Sequence, residues 1–268
     1  MKKLCYSTLC CPEWTWNEVL ATARDVGYQG VEVRGIGREV YGPRIHEFAP
    51  GRLAATRAQM ASLNLALPVL DTDSILHLPQ YRDRTLREVE EYLAVAVGLG
   101  ASYLRILGDL PVPEPGAPVD DAHVVAVAKE LAPMAEKAGV GLLLETQGAF
   151  CDTLRLRRLL DAIASPAVAA LWDIHHPYRW AGEDPAQTAR NLGPYIKHCH
   201  IKDSVMVAGK PKYTMLGQGD LPVKQALAAL ADIGFDGFYC MEWVRRWDLS
   251  MEEPGIMLSS FLPWMAKA

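Results

Sequence analysis

Eight short apolar runs, each typical of a buried strand, alternate with helical segments along the whole chain. Strands that alternate with helices are joined by crossovers, so they are expected to pair in parallel. The length of 268 residues is close to the roughly 250 residues of one (β/α)8 barrel. We therefore predict a single α/β domain over residues 1–268, a (β/α)8 barrel, with an open doubly wound sheet as the alternative. The predicted strands are Lys3–Ser7, Gly30–Arg34, Leu65–Leu70, Ser102–Leu107, Gly141–Glu145, Ala167–Asp173, Ile196–Lys202 and Gly237–Glu242.

Local signals mark the starts of several predicted helices. Thr15 and Glu18 have the spacing of a capping box, in which each side chain bonds the other residue's backbone N–H. Asp184 followed by Pro185 resembles an N-cap with proline at the first helical position. The proline-rich stretch Pro111–Pro118 is predicted to be a loop after the fourth strand.

Composition and charge exclude several classes of protein. The net charge of −5, the pI of about 5.8 and the absence of a long Lys/Arg run disfavour a nucleic-acid binder. The sequence contains no run of 18 apolar residues and no signal-peptide pattern, which disfavours a membrane protein. Its six cysteines are scattered without a CxxC pair, so we expect reduced thiols and a cytoplasmic location.

Polar side chains end four consecutive apolar runs in the second half of the chain. Glu145, Asp173 and Glu242 end the fifth, sixth and eighth strands, and the seventh carries His198 and His200. One such residue alone is usually solvated or part of the core, but in a closed barrel these strand ends converge. Three carboxylates packed together need a cation or raised pKa values. Oxygen ligands with one imidazole suit Mn²⁺, Mg²⁺ or Co²⁺, and His200 is favoured because it lies nearer the strand's C-terminal end.

Five segments in the second half of the chain together resemble a known family. The runs LLLETQG, LWDIHHP, KHCHIKD, LGQGDLPV and GFYCMEW resemble the sugar phosphate isomerase/epimerase superfamily, the xylose isomerase-like TIM barrels. That group includes ketose 3-epimerases, hydroxypyruvate isomerase, inosose dehydratase, dehydroshikimate dehydratase and metal-dependent apurinic endonucleases. The resemblance spans the barrel, and its specific part runs over residues 141–243.

The resemblance implies roles for individual residues. The ligands of one divalent metal, Mn²⁺ first and Mg²⁺, Co²⁺ or Zn²⁺ as alternatives, would be Glu145, Asp173, His200 and Glu242. Two of these, Glu145 and Glu242, would also be the catalytic acid and base. The resemblance further implies substrate contacts from His176 and Lys202, and from Gln147, which stands where many relatives have histidine.

Further residues near the predicted strand ends are candidates for substrate binding. Arg34 and Arg105 follow or end strands and are expected to meet a carboxylate or phosphate, although each has a surface or salt-bridge role as its alternative. His77 lies in the loop after the third strand and is a weaker candidate. The absence of a phosphate-cradling glycine run favours an unphosphorylated sugar or cyclitol.

The implied function is a metal-dependent sugar epimerase or isomerase that removes a proton next to a carbonyl and returns it through an enediolate. The main alternative is a dehydratase or other lyase of the inosose or dehydroshikimate dehydratase type. A non-catalytic barrel that binds metal and sugar is a further alternative. A DNA-repair endonuclease is disfavoured because Pro211–Tyr213 stands where its Asp-x-His ligands belong. A homodimer is implied by the resemblance only.

Overall fold

The computed structural model describes residues 2–110 and 118–268, so the predicted loop Pro111–Pro118 lies outside the described residues except for Pro118. Eight parallel strands form a nearly closed barrel that is surrounded by helices, which confirms the predicted (β/α)8 fold. The strand order is β2-β1-β10-β7-β6-β5-β4-β3, and isolated parallel bridges between Gly30 and Ala66 and between Val33 and Leu70 join its two edges.

The described residues form ten strands, of which β8 and β9 make a separate antiparallel hairpin. The bounds of the strands are β1 Lys3–Ser7, β2 Gly30–Glu32, β3 Val69–Ile75, β4 Tyr103–Leu107, β5 Gly141–Glu145, β6 Val168–Asp173, β7 Ile196–Ile201, β8 Asp203–Val207, β9 Lys210–Thr214 and β10 Phe238–Met241.

Eight α-helices are present in the described part of the chain, and the predicted start signals act as expected. Thr15 and Glu18 form the capping box of the first helix. Asp184 accepts a hydrogen bond from the backbone N–H of Gln187, and Pro185 is the first residue of its helix. The bounds are α1 Trp16–Val26, α2 Leu53–Ser62, α3 Arg82–Leu99, α4 Asp121–Ala138, α5 Thr153–Ile163, α6 Pro185–Leu192, α7 Val223–Asp232 and α8 Pro254–Lys267. Within residues 2–110 and 118–268, no helix is both long and apolar enough to span a bilayer.

The alternation of side chains along the strands divides the barrel interior into an apolar layer and a charged layer. Val69, Leu143, Ala169 and Leu171 are buried in a small cluster of their own, separate from the large core beneath the helices. Successive side chains of a strand point to opposite faces, so residues two positions apart point the same way. Two residues after Val69, Leu143 and Leu171 come three buried carboxylates, those of Asp71, Glu145 and Asp173. The charged layer therefore lies at the C-terminal strand ends, directly above apolar packing.

The third strand and the hairpin differ from the sequence-based expectation. The prediction of Leu65–Leu70 for the third strand is wrong by several residues at each end, because the strand begins at Val69 and continues through Asp71–Ser74 to Ile75. Those polar side chains are absent from typical strand patterns, yet all except Asp73 are buried in the barrel. The β8–β9 hairpin was not predicted, although its turn residues Ala208 and Gly209 both have positive φ angles, as a two-residue hairpin turn requires.

Candidate metal centre

Four side chains converge at the C-terminal ends of neighbouring strands. Glu145 ends β5, Asp173 ends β6, His200 is the penultimate residue of β7 and Glu242 follows β10 directly. One potential ligand atom from each lies within 4.8 Å of the others, and all four residues are buried. The Nδ1 atom of His200 is 3.2 Å from Glu242 Oε1, 3.7 Å from Glu145 Oε1 and 3.8 Å from Asp173 Oδ2. The structure thus brings together the four residues that the sequence proposed as metal ligands.

The donor set fits a divalent metal ion. Within the described part of the chain, His200 Nδ1 is buried without a hydrogen-bond partner, although a buried polar atom normally has one. Three carboxylates and one imidazole match the oxygen-rich ligation of Mn²⁺ or Mg²⁺, and an imidazole ligand is equally acceptable to Co²⁺ or Zn²⁺. A cation among these atoms would satisfy His200 Nδ1 and offset the mutual repulsion of the carboxylates.

Lys202 supplies a positive charge beside this centre. Its Nζ is 2.5 Å from Asp173 Oδ2 and forms a second ion pair with Glu242 Oε2. Burial opposes the charged ammonium form, but the Asp173 and Glu242 carboxylates outweigh burial and raise the pKa of Lys202 well above its usual range. Lys202 therefore stays charged in the buried site, where it can donate a hydrogen bond or a proton to an oxygen nearby.

His176, a candidate for substrate binding, borders the same centre. Its Nε2 lies 3.3 Å from Asp173 Oδ2 and 3.9 Å from Glu145 Oε1, and the imidazole is partly accessible to solvent. Gln147 lies in the turn after β5, two residues beyond Glu145, and is also partly accessible. Its role in substrate binding remains a prediction from its place in the chain.

Arg105 lies beneath Glu145 inside the barrel. Its Nε is 3.4 Å from Glu145 Oε2 and 3.4 Å from Asp71 Oδ1, and Nη1 donates to the Thr72 carbonyl at 3.1 Å. Arg105 is buried, so solvent screens its charge little, and the charge acts mainly on the two neighbouring carboxyl groups. Through these contacts Arg105 holds the Glu145 carboxylate in place. A contact between Arg105 and the substrate stays a prediction.

The carboxyl group of Asp71 provides a testable pH dependence. Burial first and the Glu32 carboxylate second raise the pKa of Asp71 to about 8. Because an unfolded Asp titrates near 3.9, the folded protein holds a proton between about pH 4 and pH 8 that the unfolded chain lacks. Wild-type stability should therefore decrease as pH rises through this window, by at most about 1.4 kcal/mol per pH unit from this group.

We expect Asp71→Asn to remove this contribution, because its amide does not titrate. Urea unfolding of the metal-free proteins at pH 5, 6, 7 and 8 measures the effect, and the variant should gain stability relative to wild type as pH rises. Asp232→Asn, at an exposed helix end, is the control and should follow the wild-type curve. If the free energy of unfolding changed with pH in the same way for Asp71→Asn and wild type, the raised pKa of Asp71 would be contradicted.

Arg34 and His77 occupy the rim of the barrel. Arg34 forms an ion pair with Asp73, donates to the Val40 carbonyl and places its guanidinium 5.7 Å from the centre of the Trp247 ring. His77 Nε2 lies 3.4 Å from the buried carboxylate of Asp109. Both residues have protein partners, and neither belongs to the cluster of four. Their roles in substrate binding remain predictions.

Asp203 links the two ends of the β8–β9 hairpin to the barrel. Its carboxylate accepts hydrogen bonds from the backbone N–H groups of Ser204, Gly217, Gly219 and Leu221. Asp203 of the run KHCHIKD and the two glycines of LGQGD, Gly217 and Gly219, are therefore parts of one structural unit. The hairpin places Tyr213 against the centre, with its ring 5.8 Å from Lys202 Nζ.

Gly219 is required where the chain passes the Asp203 carboxylate. A Cβ at this position would clash with Asp203 Oδ1 and with the Ser204 carbonyl oxygen. We expect Gly219→Ala to lower the free energy of unfolding by about 1–3 kcal/mol, as overpacking does, measured by urea denaturation. Gly255→Ala is the matched control because a Cβ there meets no atom within 4 Å, so its stability should equal or exceed wild type. Equal stability of both variants would refute this role of Gly219.

Sequence reasoning missed three buried carboxylates that contact predicted site residues. Glu32 ends β2 and contacts both His198 and His200, Asp71 lies beside Arg105, and Asp109 holds His77. The available signal for Glu32 was a charged residue inside the apolar run GVEV. Asp71 was missed because the third strand was ended too early, which placed this residue in a loop.

Comparisons with known proteins agree with the barrel fold. A family model described as xylose isomerase-like TIM barrel matches residues 20–265. The chain is 25% identical over 252 residues to a fructoselysine 3-epimerase of Escherichia coli O157:H7, covering 87% of this chain and 86% of the relative. The structure resembles the probable 3-DHS dehydratase AsbF of Bacillus anthracis (TM-score 0.81, 17% identity, 99% of each chain). It also resembles D-psicose 3-epimerase in the presence of D-fructose (TM-score 0.78, 16% identity, 99% of this chain and 98% of the other).

Proposed function

Because the chain belongs to the xylose isomerase-like TIM barrel family, we propose that it is a divalent-metal-dependent epimerase or isomerase of a ketose or related polyol. The observation that carries this proposal is the convergence of Glu145, Asp173, His200 and Glu242, whose potential ligand atoms lie within 4.8 Å of one another. The similarity to a fructoselysine 3-epimerase over most of both chains supports the same reaction class.

The strand order supports proton transfer from two sides of one substrate. Glu145 and Glu242 come from the outer members of the contiguous set β10-β7-β6-β5, with His200 and Asp173 between them. Two carboxylates that flank a bound hydroxy-ketone can act in turn as base and acid at one carbon, which inverts its configuration. Return of the proton to the neighbouring carbon would give isomerisation by the same residues.

The remaining polar groups would bind and orient the substrate. A divalent cation held by the four side chains would polarise the substrate carbonyl and so acidify the adjacent C–H bond, and we propose Mn²⁺ for this role. His176, which contacts the Asp173 carboxylate, and Gln147, two residues after Glu145, are proposed to hold hydroxyl groups of a sugar or cyclitol. The buried Lys202 ammonium is proposed to donate to a substrate oxygen near Glu242.

A dehydratase is the second candidate because of the position of Lys202. Its Nζ is paired with Glu242, so one residue could remove a proton while the other protonates a departing hydroxyl group. Loss of a β-hydroxyl after proton removal gives a dehydratase without any change in the metal ligands.

The six free cysteines suit a reducing compartment, so a cytoplasmic location is part of the proposal.

The proposal is tested by turnover in D₂O with Mn²⁺-loaded and metal-free protein. The panel contains D-fructose, D-psicose, fructoselysine, an inosose and 3-dehydroshikimate, with products followed by NMR. We expect Mn²⁺-dependent deuterium incorporation next to the carbonyl of a ketose, together with its epimer or isomer. Mn²⁺-dependent loss of water without an epimer would favour the dehydratase. Absence of turnover on every compound would contradict both and favour a binding protein.

A further inference from the structure

Glu32 reaches across the barrel interior to the imidazole of His200. Two strands, β1 and β10, separate β2 from β7 in the sheet, so this contact crosses the barrel and does not follow a strand pair. Glu32 Oε2 lies 3.0 Å from His200 Nε2 and 2.8 Å from His198 Nε2, and all three side chains are almost fully buried. The carboxylate therefore touches the proposed ligand from the side opposite the metal centre.

The two ring nitrogens of His200 thus face different partners. Nε2 faces Glu32, whereas Nδ1 faces the carboxylates of Glu145, Asp173 and Glu242. A carboxylate can only accept a hydrogen bond, so Nε2 must donate its proton to Glu32. A neutral imidazole with a proton on Nε2 carries its lone pair on Nδ1, which is the atom directed at the metal centre.

His198 holds the Glu32 carboxylate in this position. Its Nε2 contacts the same Oε2 atom as His200 does, so two donors on alternate residues of β7 converge on one oxygen. Glu32 and His198 are both almost fully buried, so solvent does not compete for this contact. The two imidazole contacts fix the oxygen that faces His200 Nε2.

We infer that Glu32 is a positioning residue that holds His200 in the tautomer and ring orientation needed to bind the metal through Nδ1. This inference rests on the proposed metal centre. Partners of this kind behind a metal-bound histidine typically change metal affinity 10–100-fold when they are lost. The role is specific to the carboxylate, because the contact with His200 is made by an acceptor oxygen and not by apolar packing.

Cys240 provides a matched control because it belongs to the same buried layer. A ligand atom of Cys240 lies within 4.8 Å of those of Glu32, His198 and His200. We expect Cys240→Ala to disturb the packing of this layer and to leave the Glu32–His200 contact in place, because no hydrogen bond among the described residues joins Cys240 to either of them. A role of Glu32 in packing alone would predict similar effects of both substitutions on metal binding.

The experiment measures Zn²⁺ affinity of the metal-free full chain by competition with a chromophoric chelator. Glu32→Gln should bind Zn²⁺ about 10–100-fold more weakly than wild type, whereas Cys240→Ala should stay within about threefold. Urea unfolding and circular dichroism verify that each variant is folded. If Glu32→Gln does not fold, Glu32→Asp is measured instead. Its side chain keeps the carboxylate but is one methylene shorter, so the carboxylate should no longer reach His200 and Zn²⁺ binding should also weaken.

A spectroscopic measurement tests the tautomer directly. In the Zn²⁺-loaded wild type, ¹⁵N NMR of His200 should show a proton on Nε2 and none on Nδ1. Unchanged affinity in Glu32→Gln or an equal loss in Cys240→Ala would each overturn the inference while leaving the metal centre intact. Metal bound to Nε2 would also overturn it, because Nε2 faces Glu32 and not the three carboxylates. Two Zn²⁺ ions per chain would also overturn it, because Glu32 would then be a ligand itself. Absence of Zn²⁺ binding by wild type would overturn both this inference and the proposed function.

Discussion

Replacement of Glu242 by glutamine is expected to lower kcat on the active ketose by about 10²–10⁴-fold, the usual contribution of a general acid or base. The amide keeps the shape of the side chain but can neither accept nor return a proton at neutral pH. Deuterium exchange from D₂O into the substrate should decrease by the same factor. The measurement uses saturating Mn²⁺, because Glu242 Oε1 also lies 3.2 Å from His200 Nδ1 and its loss should weaken metal binding.

Glu252→Gln is the matched control for this substitution. Glu252 lies in the same loop after β10, but its side chain is exposed to solvent and its backbone carbonyl accepts the indole N–H of Trp243. Its kcat and exchange rate should remain within about twofold of wild type, because a surface substitution rarely changes the structure. Undiminished exchange by Glu242→Gln at saturating Mn²⁺ would remove Glu242 from the proton-transfer step.

Removal of the metal with a chelator is expected to abolish turnover and to lower the stability of the protein. The buried carboxylates of Glu145, Asp173 and Glu242 would lose the cation that offsets their repulsion. A ligand that binds only the folded state stabilises it by about 2.7 kcal/mol at 100 times its Kd. Addition of Mn²⁺ should therefore restore activity and raise the unfolding temperature together, as a thermal unfolding series with increasing Mn²⁺ would show.

Asp173→Asn serves as the control for the metal-dependent stabilisation. Asp173 ends β6, and one of its carboxylate oxygens is a potential ligand atom of the cluster. The variant should be stabilised much less than wild type at the same Mn²⁺ concentration. Equal activity and equal unfolding temperature of wild type with and without Mn²⁺ would contradict the metal centre.

The residues of the candidate centre could be predicted because each marks the end of a local pattern. Glu145 and Asp173 are the last residues of apolar runs, and the structure places them at the ends of β5 and β6. His200 was preferred to His198 on strand position, and only His200 lies in the cluster with the three carboxylates. In a barrel the C-terminal ends of all strands meet at one face, so their convergence follows from the fold.

The contacts behind the centre could not be predicted in the same way. Asp71 lies in a strand whose polar sequence does not match the usual alternation, so its burial beside Arg105 was not visible. Arg105, a predicted substrate-binding residue, lies between two carboxyl groups inside the barrel, and no local pattern indicated those contacts. Tyr213 approaches Lys202 through a hairpin whose pairing depends on a two-residue turn.

By itself, the sequence determined the barrel and the four residues that gather at its mouth, because apolar alternation and strand ends are properties of neighbouring residues. Only the tertiary structure decided which polar groups meet inside the barrel: Glu32 reaches His200 across the interior, and Asp71 lies beside Arg105 of the neighbouring strand β4. Glu32 and His200 are 168 residues apart in the chain. Their contact depends on the register and closure of the whole sheet, which no local pattern encodes.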